Sequence, residues 1–284
     1  MGALDGMAAL ITGGAGGIGG ASAHWLLRDG CSVTLMGRTE SSLHEQATEL
    51  EADAPAGTTV QYIPGDAHLV DDVRAAIDLA AKPTGGLDIT VATVGGGTMV
   101  PFLAMSEETF VADLHKNMLT AFIAIKYSAP VMAAGGGGSI VCISSDVARM
   151  TWPFLAAYCA GKAGLEGMMK VAADELGALN VRVNAVRPGL VKTNANTRLF
   201  DNETTLKQFT DEKPLGRTGV PDDIAAGVRY LAGPESSWVT GQSFAIEGGN
   251  ELRKAPYLEQ TVRARFGDDV VDACLAGRLP DQAF

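Results

Sequence analysis

Short apolar runs recur along the chain, separated by longer stretches in which apolar residues return every three or four positions. The runs at residues 8–12, 32–36, 59–63, 89–94, 139–143, 181–186 and 243–246 predict strands. They are continuous rather than alternating, as strands buried on both faces are. The intervening stretches at 18–28, 41–51, 70–80, 107–132, 155–176 and 221–231 predict helices, the fourth of them interrupted. Alternation of this kind implies right-handed crossovers and hence an α/β, doubly wound fold: a seven-stranded parallel sheet with helices on both faces. After Gly249 the pattern changes to a charged tail. Residues 1–250 are therefore expected to form a single domain and 251–284 a C-terminal extension. In the extension Tyr257, Leu258, Val262 and Phe266 are spaced as a helical stripe, expected to pack on a lid or a neighbouring subunit.

Composition narrows the function. At 284 residues with 46% hydrophobic content the chain can bury a large core. A net charge of −11, with no basic run to offset it, speaks against nucleic acid and anionic membrane as partners. Cys31, Cys142, Cys159 and Cys274 have no CxxC spacing and read as thiols in a reducing compartment. The start, Met-Gly-Ala-Leu-Asp-Gly, has no basic leader, and Gly6 stands where a myristoylation signal needs Ser or Thr. A cytoplasmic protein is expected. His24, His44, His68 and His115 lack ligand spacing, so no metal is implied.

The chemistry is carried by motifs. Directly after the first predicted strand comes Thr12-Gly13-Gly14-Ala15-Gly16-Gly17-Ile18-Gly19, and a helix follows. Such a turn lets backbone amides approach a pyrophosphate, and the helix N-terminus adds orphan N–H groups and a favourable dipole. Tyr158 and Lys162 are four apart on a predicted helix and so share a face. An ammonium about 5 Å from a phenol, at an effective dielectric of about 20, stabilises the phenolate by about 3 kcal/mol, enough to lower its pKa by about two. Tyr158 is then a candidate general acid/base. Ser145 ends a predicted strand on the edge where open α/β sheets bind ligands, and its hydroxyl can hold a substrate oxygen.

Over residues 5–249 the sequence resembles the short-chain dehydrogenase/reductase family, whose motifs it carries in order: the Thr-Gly-x3-Gly-x-Gly turn, Asp66, Asn117, Ser145, Tyr158 and Lys162, Arg187-Pro188-Gly189, and Thr193. The segments Pro214-Leu215-Gly216-Arg217, Pro221-Asp222-Asp223-Ile224-Ala225, Thr240-Gly241-Gln242 and Gly248-Gly249 also resemble the family's C-terminal part. The resemblance implies a Rossmann fold and an oxidoreductase that moves hydride between NAD(P) and an alcohol or carbonyl. It implies catalytic roles for Asn117, Ser145, Tyr158 and Lys162. Cofactor contacts are implied at Gly13, Gly16, Gly17, Ile18, Gly19, Arg38, Asp66, Ala67, Gly95, Tyr158, Lys162, Pro188, Gly189 and Thr193. Asp66 would lie near the adenine, Lys162 on the nicotinamide ribose, and Asn117 would hold a water linking Lys162 to solvent. A homotetramer is also implied.

Two departures bear on this. Ala92-Thr93-Val94-Gly95 replaces the family's Asn-Asn-Ala-Gly, so amides that brace the cofactor loop are expected to be lost. Gly161 replaces a Ser before the lysine, a change expected to be neutral. Enzymes of this fold that select NAD place an acid at the end of strand two; here Gly37 is followed by Arg38, whose fork suits a phosphate, so NADP is expected before NAD. The substrate pocket is expected from residues 95–102, 148–154 and a lid at 194–213; Met150, Trp152, Phe154 and Leu199 suggest an apolar alcohol or ketone. Ala156, Ala160, Ala163 and Gly167 recur at helical spacing and would admit a partner helix. The run Gly95-Gly96-Gly97 is similar to that of some enoyl-thioester reductases, and a catalytically silent nucleotide-sensing relative is the other alternative. The intact Ser145 and Tyr158 favour carbonyl chemistry over both.

Overall fold

The computed structural model describes residues 2–253, 258–281 and 284. Seven parallel strands form one sheet in the order β3-β2-β1-β4-β5-β6-β7. They are β1 (Ala8–Thr12), β2 (Ser32–Gly37), β3 (Val60–Pro64), β4 (Ile89–Ala92), β5 (Gly138–Ile143), β6 (Val181–Pro188) and β7 (Ser243–Ile246). The strand side chains alternate between two cores. Ala9 and Ile11 of β1, Val141 and Ile143 of β5 and Val186 of β6 face the layer of α1 (Gly17–Arg28), α2 (Glu40–Ala52) and α9 (Pro221–Ala232). Leu10, Ile140, Cys142 and Ala185 face α3 (Val70–Ala81), α5 (Thr120–Ala134) and α6 (Ala156–Gly177). Burial on both faces is why the strand sequences carry no polar alternation.

The boundaries differ from expectation in instructive places. β4 stops at Ala92, two residues early, because Thr93 turns its hydroxyl onto the Thr12 carbonyl. β6 runs on to Pro188, held by pairing with Ile246 of β7. The interruption expected within 107–132 is a π-helical turn, His115–Leu119, between α4 (Glu107–Leu114) and α5. Such turns insert one extra residue and re-aim side chains.

The segment 194–213 is not bare loop. It holds a 3₁₀ turn, α7 (Thr197–Phe200) and α8 (Glu203–Asp211), the last capped by the Asn202 side chain accepting from Thr205 N at 3.0 Å. The tail forms α10 (Glu259–Phe266) and α11 (Asp268–Leu275). Of its expected stripe, Leu258 and Val262 are buried, Phe266 packs on Phe284 with ring centroids 4.9 Å apart, and Tyr257 lies outside the described residues. Phe284 accepts from Ser106 N at 2.9 Å, so the tail returns to the start of α4.

Candidate active site

The strand order reverses direction between β1 and β4, and at this switch point the carboxyl ends of the strands leave the crevice in which such sheets bind ligands. The glycine turn lies on one side of it. α1 opens behind Gly16, which offers no side-chain cap, and has no acid in its first turn. Its first amides are thus left to an anionic ligand, and the residues present fit a dinucleotide pyrophosphate. A Cβ on Gly17 would stand 2.9 Å from Thr193 Cγ2, which places the Thr193 loop against this helix start. The brace expected to be lost at the end of β4 is instead made by Thr93, whose hydroxyl and amide both donate to Thr12 O. A short hydroxyl does here what an amide does elsewhere.

At the outer end of the crevice Arg38 is exposed and makes no ion pair among the described residues, but its charge reaches Asp66. Asp66 accepts from His68 N at 3.0 Å and lies 2.8 Å from His68 Nδ1, bonds that hold its carboxyl below the usual range. Ala67 beside it is buried. Pro188 and Gly189 close the opposite end against Ile246 and Glu247. Ile18 packs into the core beneath α1.

The structure brings Ser145, Tyr158, Lys162 and Asn117 together at the centre. Lys162 is almost wholly buried and its Nζ donates to Ile143 O, the last carbonyl of β5, at 2.7 Å. Ser145 follows β5, lies beside the Tyr158 hydroxyl, and donates to Asp146 Oδ1 at 3.0 Å. Asn117 rides the π-helical turn into the interior. Its Nδ2 donates to Gly96 O (2.8 Å) and Asp113 O (2.7 Å) and its Oδ1 accepts from Gly96 N (3.1 Å). With both donors spent on backbone, the Asn117 amide anchors the glycine loop.

The electrostatics reverse one expectation. Tyr158 is pushed up to about 12, not down: burial dominates, the neighbouring Ser145 hydroxyl opposes it, and Asp146, Cys159 and Asp113 add to the rise. Lys162 Nζ is 5.9 Å from the ring centroid and turned to the Ile143 carbonyl, so the phenolate gains less from it than desolvation costs. Lys162 itself is pulled down to about 8 by burial. Burial also raises Asp146.

Contacts at this centre extend beyond the catalytic side chains. Gly97 is pressed against Tyr158, where a Cβ would stand 2.6 Å from Cγ of the ring; one on Gly95 would stand 2.7 Å from Lys162 Nζ. Asp146 accepts from Asn250 Nδ2 at 2.9 Å and is felt by the buried Lys213. Asn250 arrives from beyond the last strand, and only the position of Asp146 next to Ser145 was open to inspection. Over the centre Val147, Trp152, Phe209 and Leu258 form an apolar cluster with Met99, Met150, Tyr158, Leu190 and Leu199 packed on it. Phe154, expected in the pocket wall, is held in the left-handed region with φ 70°, its carbonyl accepting from Val100 N at 2.8 Å.

Comparison with known proteins finds similarity over most of the chain. The family model described as enoyl-(acyl carrier protein) reductase matches residues 13–251. The L-rhamnose-1-dehydrogenase of Scheffersomyces stipitis is 33% identical over 250 residues, covering 87% of this chain and 97% of that protein. A short-chain type dehydrogenase/reductase from Mycobacterium ulcerans superposes with a TM-score of 0.90 at 32% identity, over 95% of this chain and 98% of that one. A 7α-hydroxysteroid dehydrogenase, solved with NADH and 7-oxoglycochenodeoxycholic acid, superposes with a TM-score of 0.81 at 30% identity, over 87% of this chain and 94% of that one.

Proposed function

We propose that this chain, which belongs to the short-chain dehydrogenase/reductase family and is an NAD(P)-dependent oxidoreductase acting on a small molecule, works through Tyr158 as general acid/base with Ser145, Lys162 and Asn117 around it. The observation that carries the reading is the gathering of Ser145, Tyr158 and a buried Lys162 at the carboxyl end of β5, against the Gly95–Gly97 loop. When bound, the reduced nicotinamide supplies hydride to a carbonyl carbon. Tyr158, kept protonated by burial, gives its proton to the oxygen that becomes the alcohol. Ser145 turns its hydroxyl from Asp146 to that oxygen and stabilises the developing charge. Lys162 would hold the ribose hydroxyls, and Asn117 keeps the Gly95–Gly97 loop in place through Gly96. The test is an alcohol and ketone panel followed by nicotinamide absorbance; cofactor binding without turnover of any member would favour the silent alternative.

Gly13, Gly16, Gly17, Ile18 and Gly19 would hold the pyrophosphate of the cofactor, Thr193, Pro188 and Gly189 its nicotinamide part, and Asp66 and Ala67 its adenine. The exposed Arg38 supports NADP over NAD. The apolar cluster around Trp152 supports a mainly apolar alcohol or ketone as substrate. Residues 1–250 form one dinucleotide-binding and catalytic domain, and 251–284 an extension whose Leu258 joins the cluster at the substrate end. A homotetramer is supported by two surfaces: the α5–α6 groove, with exposed Phe122, Val171 and Leu179 near Ala160, Ala163 and Gly167, and the β7 edge with Phe244. A monomer by light scattering at micromolar concentration would refute the assembly. Free thiols at Cys31, Cys142, Cys159 and Cys274 support the cytoplasm as its compartment.

A further inference from the structure

The Ser145 hydroxyl has one proton to give, and the structure shows where it is held. Its Oγ donates to Asp146 Oδ1 at 3.0 Å and accepts weakly from Val147 N at 3.4 Å. Asp146 is buried, and its other oxygen accepts from Asn250 Nδ2 at 2.9 Å. A serine chooses among three staggered rotamers, so the group that fixes Asp146 also decides where the serine oxygen stands. That group comes from 104 positions away in the chain.

Asn250 is delivered by rigid means. After β7 the chain turns back at Gly248 (φ 73°) and Gly249 (φ 86°), and a Cβ on Gly249 would stand 2.7 Å from Pro214 Cγ. No other residue fits that turn without strain. The next residue, Glu251, accepts from Arg187 Nε of β6 at 2.8 Å and from its Nη2 at 3.2 Å, while the Glu251 amide donates to Glu247 Oε2 at 3.0 Å. Between these anchors Asn250 is fully buried. Packing alone does not account for an asparagine there. Its Oδ1 has no hydrogen-bond partner among the described residues, and its nitrogen's other neighbour is Met150 Sδ at 3.6 Å, a weak acceptor. A buried amide with one polar atom unsatisfied is less stable than an apolar side chain of similar size. What the asparagine adds is the N–H on Asp146.

We infer that Asn250 is a positioning residue: acting through Asp146, it holds Ser145 Oγ where rotation of the O–H bond alone carries the proton from the carboxylate to the substrate oxygen. This rests on the reading of Ser145 as the residue that meets that oxygen. Without Asn250 the Asp146 carboxylate is released, Ser145 gains other rotamers, and its hydroxyl is out of place when charge develops.

Asn250→Leu nearly keeps the volume and removes the amide. Turnover is followed at saturating reduced cofactor with whichever of cyclohexanone, acetophenone and butanedione reacts fastest. kcat is expected to fall about ten-fold with the cofactor KM unchanged, because a reacting group misplaced by about 1 Å costs up to about 10²-fold. In a Ser145→Ala background the same substitution is expected to change kcat by less than about two-fold, since residues that act as a unit are not additive. Equal losses in both backgrounds, or no loss in the native one, overturn the proposal. An exchange decides the matter where Asn250→Leu does not fold or Ser145→Ala is too slow to read. Asn250→Asp sets two carboxylates face to face and is expected to lose kcat. Adding Asp146→Asn restores an N–H between the two positions, keeps an oxygen for Ser145, and is expected to recover most of the loss. No loss in the single variant, or no recovery in the double, overturns the proposal. Crystal structures need no substrate: Ser145 unmoved in Asn250→Leu overturns the proposal even where turnover falls. Ser145 released, with no ketone reduced by the native protein, supports the link and overturns the reaction centre instead. Unchanged turnover in Ser145→Ala overturns both.

Discussion

The ends of the crevice proposed for cofactor and for substrate are built by opposite means. At the cofactor end the functional surface is backbone: the helix start behind Gly16 and the loop tied to Asn117 through both Gly96 N and Gly96 O. At the substrate end it is side chains from remote segments, with Val147 after β5, Phe209 on α8 and Leu258 in the tail meeting over Trp152. Backbone surfaces tolerate almost no change at a few glycines. Side-chain surfaces can be rewritten residue by residue, which suits a fold that keeps one cofactor and changes substrates.

Tyr158 stands where the two ends meet, so its loss is expected to have the largest effect. Tyr158→Phe should lower turnover by about 10²–10⁴-fold while leaving cofactor binding intact; near-normal steady-state turnover would remove the mechanism. The contrast sharpens at Gly97, where a single methyl group should act through backbone crowding. Gly97→Ala drives a Cβ into the Tyr158 side chain, and the displaced phenol should cost about 10²-fold in kcat, with a melting temperature showing that the variant still folds. Full activity would mean that the loop yields freely.

The pH profile tests which group limits the reaction. Lys162, pulled down from 10.5 to about 8, is charged below that pH and neutral above it. Tyr158, up at about 12, keeps its proton throughout the working range. For carbonyl reduction kcat/KM should therefore be flat below pH 8 and fall by up to about ten-fold per pH unit above it. A rise with pH through 8 would place the essential proton elsewhere. The smallest effect is expected at the solvent-exposed end. Gly37 has room for a side chain, a Cβ there meeting Leu43 at 3.4 Å. Gly37→Asp with Arg38→Leu should lower the NADPH over NADH ratio of kcat/KM by about five-fold, as befits an exposed ion pair. A native preference for NADH, unmoved by the pair, would show that Arg38 does not read the phosphate.

Legibility followed the same division. The seven strands, the glycine turn and the Tyr158–Lys162 pair could be read from the chain because each rests on local spacing: apolar runs, a turn-to-helix junction, a four-residue step on one helix face. The sequence also predicted an interruption somewhere within residues 107–132, where a π-helical turn stands. What only the tertiary structure decided are the quantities that depend on which distant groups share a buried volume. The phenol of Tyr158 went up rather than down because desolvation outweighs a lysine turned to Ile143 O. Thr93 replaced the missing amides because the end of β4 lies within reach of Thr12. The Asp146–Asn250 contact, 104 positions apart in the chain, has no local pattern; it exists because the segment after β7 folds back over the end of β5. Local periodicity sets the elements, whereas charge, burial and hydrogen bonding at the site come from contacts between segments that no spacing rule connects.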